Sequence, residues 1–197
     1  MSALGRSTFE TIFEAASLCR ERALDIPMLV LIYASLDTLA WAVYGHEIKQ
    51  VRNRFVRLCE VYVLPGSKVD CTALELYAAR CSILHSFGWE SDVSKSGNAR
   101  SVLYSFGEVD AHSAHAALNI EQPGKFVAIR ADELVSATKI AVDHVIRKSE
   151  QDSALAARLA IADGKQYRSL DTQLSAPFFE KFLEAAKNSS AAPEVGS

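Results

Sequence analysis

From Ile26 to Tyr44 the chain is apolar on every side of a helical wheel, with one charge inside it, Asp37. A helix without a polar face must lie inside a larger fold or across a membrane. Asp37 sits in the middle of the stretch, and a central aspartate costs roughly 2.5–3.5 kcal/mol on membrane-insertion scales. The stretch is therefore expected to be a buried core helix, with no membrane span. Asp25 is expected to cap it. Pro27 suits its first turn, where a missing N–H costs nothing, and Gly45 is its natural stop. The rest of the chain has to wrap around this helix.

The flanking segments read as helices able to do so. Ser7 and Glu10 match a capping box for a helix from Thr8 to Leu24, with Phe9, Ile12, Phe13, Ala16 and Leu24 on one stripe. Glu47 to Leu64 is expected to form a third helix, ending at Pro65-Gly66. Thr72 with Glu75 repeats the capping box and opens a fourth helix, ending near Gly88. Four helices with short connections fit an antiparallel bundle. After Gly88 the chain turns polar and reads as a loop through Arg100. Ser101–Phe106 and Lys125–Arg130 read as short strands that pair across a segment long for a hairpin. Helices are expected at Ala131–Ser149, Asp152–Ala162 and Ser175–Lys187, and Asn188–Ser197 is expected to fray. The expected fold is thus mainly α: a helical bundle with a small strand pair inserted at 101–130 and extra C-terminal helices, in one domain over 1–187.

The formal net charge of −3 argues against a polycation that coats nucleic acid, but leaves room for a local basic site. Cys19, Cys59, Cys71 and Cys81 form no C-x-x-C and are expected to be free, buried and reduced. With an N-terminus unlike a signal peptide, they point to the cytoplasm.

The fourth helix carries the chemistry. Arg80-Cys81-Ser82-Ile83-Leu84-His85 sets an arginine five residues before a histidine. Histidine, with an unperturbed pKa of about 6.5, can take a proton from a 2′-hydroxyl or give one to a leaving 5′ oxygen near neutral pH. An arginine fork can bind two non-bridging oxygens of a phosphorane. No metal or other cofactor is required. Five residues turn about 500°, so the two side chains are expected to point about 140° apart. Two copies of the helix meeting across a two-fold axis would bring such groups into one cleft, so the pair makes more sense in a homodimer. The plain structural alternative is that Arg80 pairs with Glu75 or another carboxylate and His85 completes a buried hydrogen bond.

The run Arg80 to His85, on the fourth helix of a compact α-bundle, resembles the signature of the HEPN superfamily, an arginine, then four to six residues, then a histidine. The downstream run Glu90-Ser91-Asp92 to Gly97-Asn98-Ala99-Arg100, followed by Tyr104-Ser105-Phe106-Gly107, is similar to a plasmid- and bacterium-borne branch of it. The resemblance implies a helical dimer acting on RNA as a metal-independent endoribonuclease, with Arg80 and His85 catalytic, in a toxin or defence setting where an antitoxin is a possible partner. It equally admits a non-catalytic RNA- or nucleotide-binding relative. Two positions depart from the pattern: the residue after the arginine, usually polar, is Cys81, and the tyrosine that several HEPN toxins carry two residues after the histidine is Phe87.

Other residues join this set as substrate-binding candidates. Asp37, a carboxylate in an apolar helix, needs a partner; Arg80 or His85 would serve, and so would a hydroxyl such as Ser35. Lys95 and Arg100, with Ser94 and Asn98, are placed to rim a cleft after the motif. Lys49, Arg52, Arg54 and Arg57 form either an RNA-binding face or a solvated one. Asp110, His112 and His115 have metal-ligand spacing but no fourth ligand, so no metal is expected. A structural or regulatory helical module is the remaining alternative.

Overall fold

A computed structural model describes residues 3–164 of the chain. The helix expected at Ser175–Lys187 and the frayed end at Asn188–Ser197 lie outside the described residues.

The described residues are mainly helical and are organised around the apolar stretch. Helix α1 spans Ala3–Glu21, α2 Asp25–Tyr44, α3 Val51–Leu58 and α4 Ala73–Ser86. The one-turn α5 covers Asp92–Lys95 and is followed by β1, Ser101–Ser105. Then come α6, Ala111–Glu121, β2, Phe126–Arg130, α7, Ala131–Ser149, and α8, Ser153–Gly164. Helix α2 touches α1, α3, α4, α7 and α8. Its Ile32, Tyr33 and Leu36 have no exposed surface. By length and composition α2 is the one described helix able to cross a membrane, and here protein covers most of its apolar surface.

Several ends differ from expectation. Helix α1 starts before Ser7, so the box expected there marks no terminus; Ala3 and Leu4 are strong helix formers and no proline intervenes. Leu24 is the N-cap of α2 and Asp25 its first residue, where a carboxylate still faces the positive helix end. Gly45 follows α2 in a right-handed conformation. A Cβ there would lie 2.5 Å from the Trp41 carbonyl oxygen, so glycine is needed for room rather than handedness. Helix α3 begins only at Val51, because the backbone at Gln50 is extended, and Lys49 lies outside it. Cys59–Val63 then continues it as a π-helical turn. The wider turn lets Cys59, Tyr62 and Val63 follow Phe55 and Leu58 into the core.

The strand pair exists but is parallel, Ser101 facing Phe126 and Ser105 facing Arg130. The intervening segment is helix α6, the crossover that a parallel pair requires and a hairpin does not. Val102, Val127 and Ile129 join the same core as α2, and β1 rests on α4. The cysteines are all free, though only Cys59 is fully buried.

Candidate functional site

Helix α4 starts as its sequence requires. The Thr72 hydroxyl accepts from the Glu75 N–H at 3.2 Å, and the Glu75 carboxylate accepts from the Thr72 N–H at 2.7 Å. Fixing this end fixes the azimuth of every later residue, Arg80 included. Arg80 crosses to α2, where its Nη2 donates to Asp37 Oδ2 at 2.6 Å. Its Nη1 donates to His85 Nε2 at 3.2 Å. The expected divergence of about 140° is overcome by reach: the long arginine side chain spans the gap that the Cα–Cβ vectors leave. The arginine and histidine therefore meet within a single copy of the chain.

The three groups differ in environment. The Arg80 and Asp37 side chains are 13% and 23% exposed, whereas His85 is exposed. Burial by itself lowers the affinity of the Arg80 guanidinium for its proton; the hydrogen bond and charge of Asp37 outweigh that, and the net shift is upward. Arg80 can only donate, so its bond to His85 requires a lone pair on Nε2 and places the ring proton on Nδ1. Arg80 Nε and Asp37 Oδ1 are buried and have no protein partner. The site thus holds a fixed cation, a histidine with a lone pair at Nε2, and spare hydrogen-bonding capacity on both members of the ion pair. Tyr77, on the same helix, lies beside Cys81; burial first and Cys81 second raise its phenol.

No family model matches the chain, and no curated protein or solved structure shows significant similarity to it. The chemistry of the site rests on its own geometry.

The other candidates separate. Asp37 is the arginine's counter-ion, and the Ser35 hydroxyl donates to the Leu31 carbonyl. Arg100 is committed elsewhere: its guanidinium forks onto Glu75, through Nε to Oε1 and Nη2 to Oε2. Burial would raise the Glu75 carboxyl, but Arg100 and the Thr72 cap together hold it below the usual range. Arg100 therefore anchors the post-motif segment onto α4. Ser94 closes the α5 turn, accepting from the Ser91 N–H at 2.9 Å and donating to the Ser91 carbonyl. Asn98 donates to Ser96 Oγ at 2.7 Å. Lys95 and Asn98 are exposed. Asp110 caps α6 by accepting from the Ser113 N–H and hydroxyl. Among the described residues no cluster of His, Cys, Asp or Glu is placed to hold a metal ion.

Sequence reasoning missed two arrangements. Tyr33 and Tyr104 share a hydrogen bond that joins α2 to β1. Glu75 serves both a cap and an ion pair; only its capping spacing is visible in the sequence, because Arg100 lies 25 residues away.

Proposed function

We propose that this protein is a metal-independent endoribonuclease of HEPN type that acts as a cytoplasmic homodimer. The Asp37–Arg80–His85 chain of contacts is the observation that supports it most. Phosphate arriving at Arg80 competes for Nη1 and releases His85 Nε2 with its lone pair in place. His85 then takes the 2′-hydroxyl proton as the 2′ oxygen bonds to phosphorus. Arg80 holds the non-bridging oxygens as charge builds on them. The phosphorus–O5′ bond breaks, and the 5′ oxygen takes a proton from the histidine of a second copy, which enters as the imidazolium, so the two histidines exchange protonation states over one turnover. The products are a 2′,3′-cyclic phosphate and a 5′-hydroxyl. The helical build around α4 supports an antiparallel HEPN-like bundle. A toxin or defence role, with an antitoxin as partner, follows the resemblance of the motif.

A specific observation favours a second reading, RNA binding without turnover. Arg80 is already neutralised by Asp37, and a clamp tied to a carboxylate has less charge to offer a transition state. Purified protein with RNA in EDTA separates the two. Cleavage lost in both Arg80→Ala and His85→Ala supports the nuclease. Binding without cleavage supports the alternative. No effect on RNA from a monomeric protein sinks both.

A further inference from the structure

A trough of about 400 Å³ lies between α1 and α7. Its floor is apolar: Phe9 and Val142 are buried, and Phe13 and Ile146 are half-buried at the edge of the core. Its rim is polar and exposed, with Glu10 and Glu14 on the α1 wall and Lys139 and Asp143 on the α7 wall. None of these residues belongs to α2 or α4, which carry Asp37, Arg80 and His85. We propose that the trough is the docking site for a basic amphipathic helix of a second, different protein. The inference does not depend on the nuclease reading.

Shape points to a helix. On α1, Phe9, Phe13 and Ser17 recur every fourth residue and so share one face. On α7, Lys139, Val142 and Ile146 do the same at spacings of three and four. Phe9 to Ser17 rises about 12 Å, so the trough is about two helical turns long. A guest helix sets its apolar anchors over that same length, which is how an amphipathic helix fills a groove. Phe13 and Ile146 supply apolar surface that the fold itself covers only in part. A small-molecule site encloses most of its ligand; here the rim is exposed on both walls, and a helix can enter from the side.

Charge sets the sign of the guest. The rim holds three carboxylates and one ammonium, and among the described residues none of the four is in an ion pair. Arg147, one turn beyond Asp143, donates its Nε to the Asp143 carbonyl and leaves the carboxylate alone. The acidic excess is therefore uncompensated. An apolar centre with a charged rim is the anatomy of a protein interface, and an acidic rim attracts a guest whose flanks carry lysine or arginine.

Two nearer occupants match less well. Residues 165–197 hold four basic side chains (Lys165, Arg168, Lys181, Lys187) against four acidic ones (Asp171, Glu180, Glu184, Glu194), so they offer the rim no net positive charge. A second copy would bring the basic helix α3, with Arg52, Arg54 and Arg57. The apolar face of α3 is already committed, because Phe55 and Leu58 have no exposed surface.

The test uses full-length protein and fluorescein-labelled synthetic helices of about 14 residues, or four turns, with anisotropy as readout. One carries leucine on a single face and lysine elsewhere. A second has glutamate in place of lysine, and a third scrambles the leucines and lysines so that no face remains. The first should bind about tenfold or more tighter than either control. Neutralising the rim with Glu10→Gln, Glu14→Gln and Asp143→Asn together should weaken it about tenfold, and added salt should narrow that gap. Ser17 is exposed and its hydroxyl bonds only within α1, to the Phe13 carbonyl. Ser17→Trp should therefore fill the trough and abolish binding, whereas Ser17→Ala should bind like wild type, and both should melt like wild type. If Ser17→Trp fails to fold, the neutralised rim decides: unchanged binding there overturns the proposal. So does a leucine–lysine helix that binds no tighter than its controls, or that still binds a folded Ser17→Trp. Alkylation of Ser17→Cys, located by peptide mass spectrometry, separates the occupants. It should be prompt in the free protein and slowed by the leucine–lysine helix. Slow alkylation at every protein concentration means that the chain's own residues fill the trough, and slow alkylation only at high concentration means that a second copy does. Either result overturns the proposal.

Discussion

Replacing Asp37 by alanine removes the counter-ion of a guanidinium that is 13% exposed. Breaking a fully buried pair from one side costs about 3–5 kcal/mol, because the surviving charge stays desolvated. A solvent-exposed pair is worth about 0–1 kcal/mol. With Asp37 itself 23% exposed and His85 open to solvent, Arg80 can partly rehydrate, which places the cost of Asp37→Ala at about 2 kcal/mol. Arg80→Met should cost about the same, since it strands the carboxylate. The double variant Asp37→Leu with Arg80→Met takes both charges out of an apolar helix contact, and should lie within about 1 kcal/mol of wild type. The two single costs sum to about 4 kcal/mol, so the cycle should return a coupling near 3 kcal/mol. Urea unfolding with a common m-value measures all four proteins. A single-variant cost below about 0.5 kcal/mol, or a double variant as unstable as the summed singles, would refute the claim that this pair joins α2 to α4.

Further expectations follow from the same geometry. Thr72→Ala should cost about 1 kcal/mol in chemical unfolding through loss of the cap; a neutral effect would mean that α4 is started by packing alone. Arg100 and Thr72 hold the folded Glu75 carboxyl below its free value of 4.5. Its contribution is therefore complete above that value and is lost as pH falls through the lower folded one. Glu75→Gln should accordingly flatten the decline in stability below about pH 4.5, and an unchanged acid limb would falsify the linkage. Tyr33→Phe should destabilise by about 1–2 kcal/mol by stranding the Tyr104 hydroxyl, read as a lowered urea midpoint; an unchanged midpoint would show that water takes the place of Tyr33. Burial pushes the Cys71 thiol from 9.0 up to about 12, which cuts its thiolate about a thousandfold at equal access. Cys71 is half-buried, so iodoacetamide near neutral pH should label it far more slowly in the folded protein than in the unfolded one; equal rates would contradict the raised thiol.

How far the sequence carried the reading depends on the range of each interaction. The core role of α2 was legible because a helix apolar all round has only two possible homes, and Asp37 closed one of them. The Thr72–Glu75 box was legible because it is written within four residues. Arg80 and Asp37 could be paired by need, a lone buried carboxylate facing a lone arginine. The convergence of Arg80 with His85 was not, because a helical wheel shows Cα–Cβ directions and not the reach of a long side chain. The parallel sense of β1 and β2 was hidden in α6, whose alanines and paired histidines carry little amphipathic signal. Phe87 was passed over for Gly88 as the helix end because the usual glycine preference held one residue too far. Arg100 looked like a cleft residue because a distant partner leaves no trace in local spacing.

Consider again the single charge inside the apolar stretch of α2, Asp37. A helix apolar all round offers its neighbours almost the same reward at any rotation, and at any slide of one 5.4 Å turn. Such a helix is an excellent filler and a poor guide. Asp37 supplies an address: only one rotation and one level bring it to Arg80, and every alternative leaves two charges stranded in apolar contact. The residue that looks like a flaw in the core would then be what makes the arrangement of α2 and α4 single-valued, with the geometry of the Arg80–His85 pair inherited from that choice.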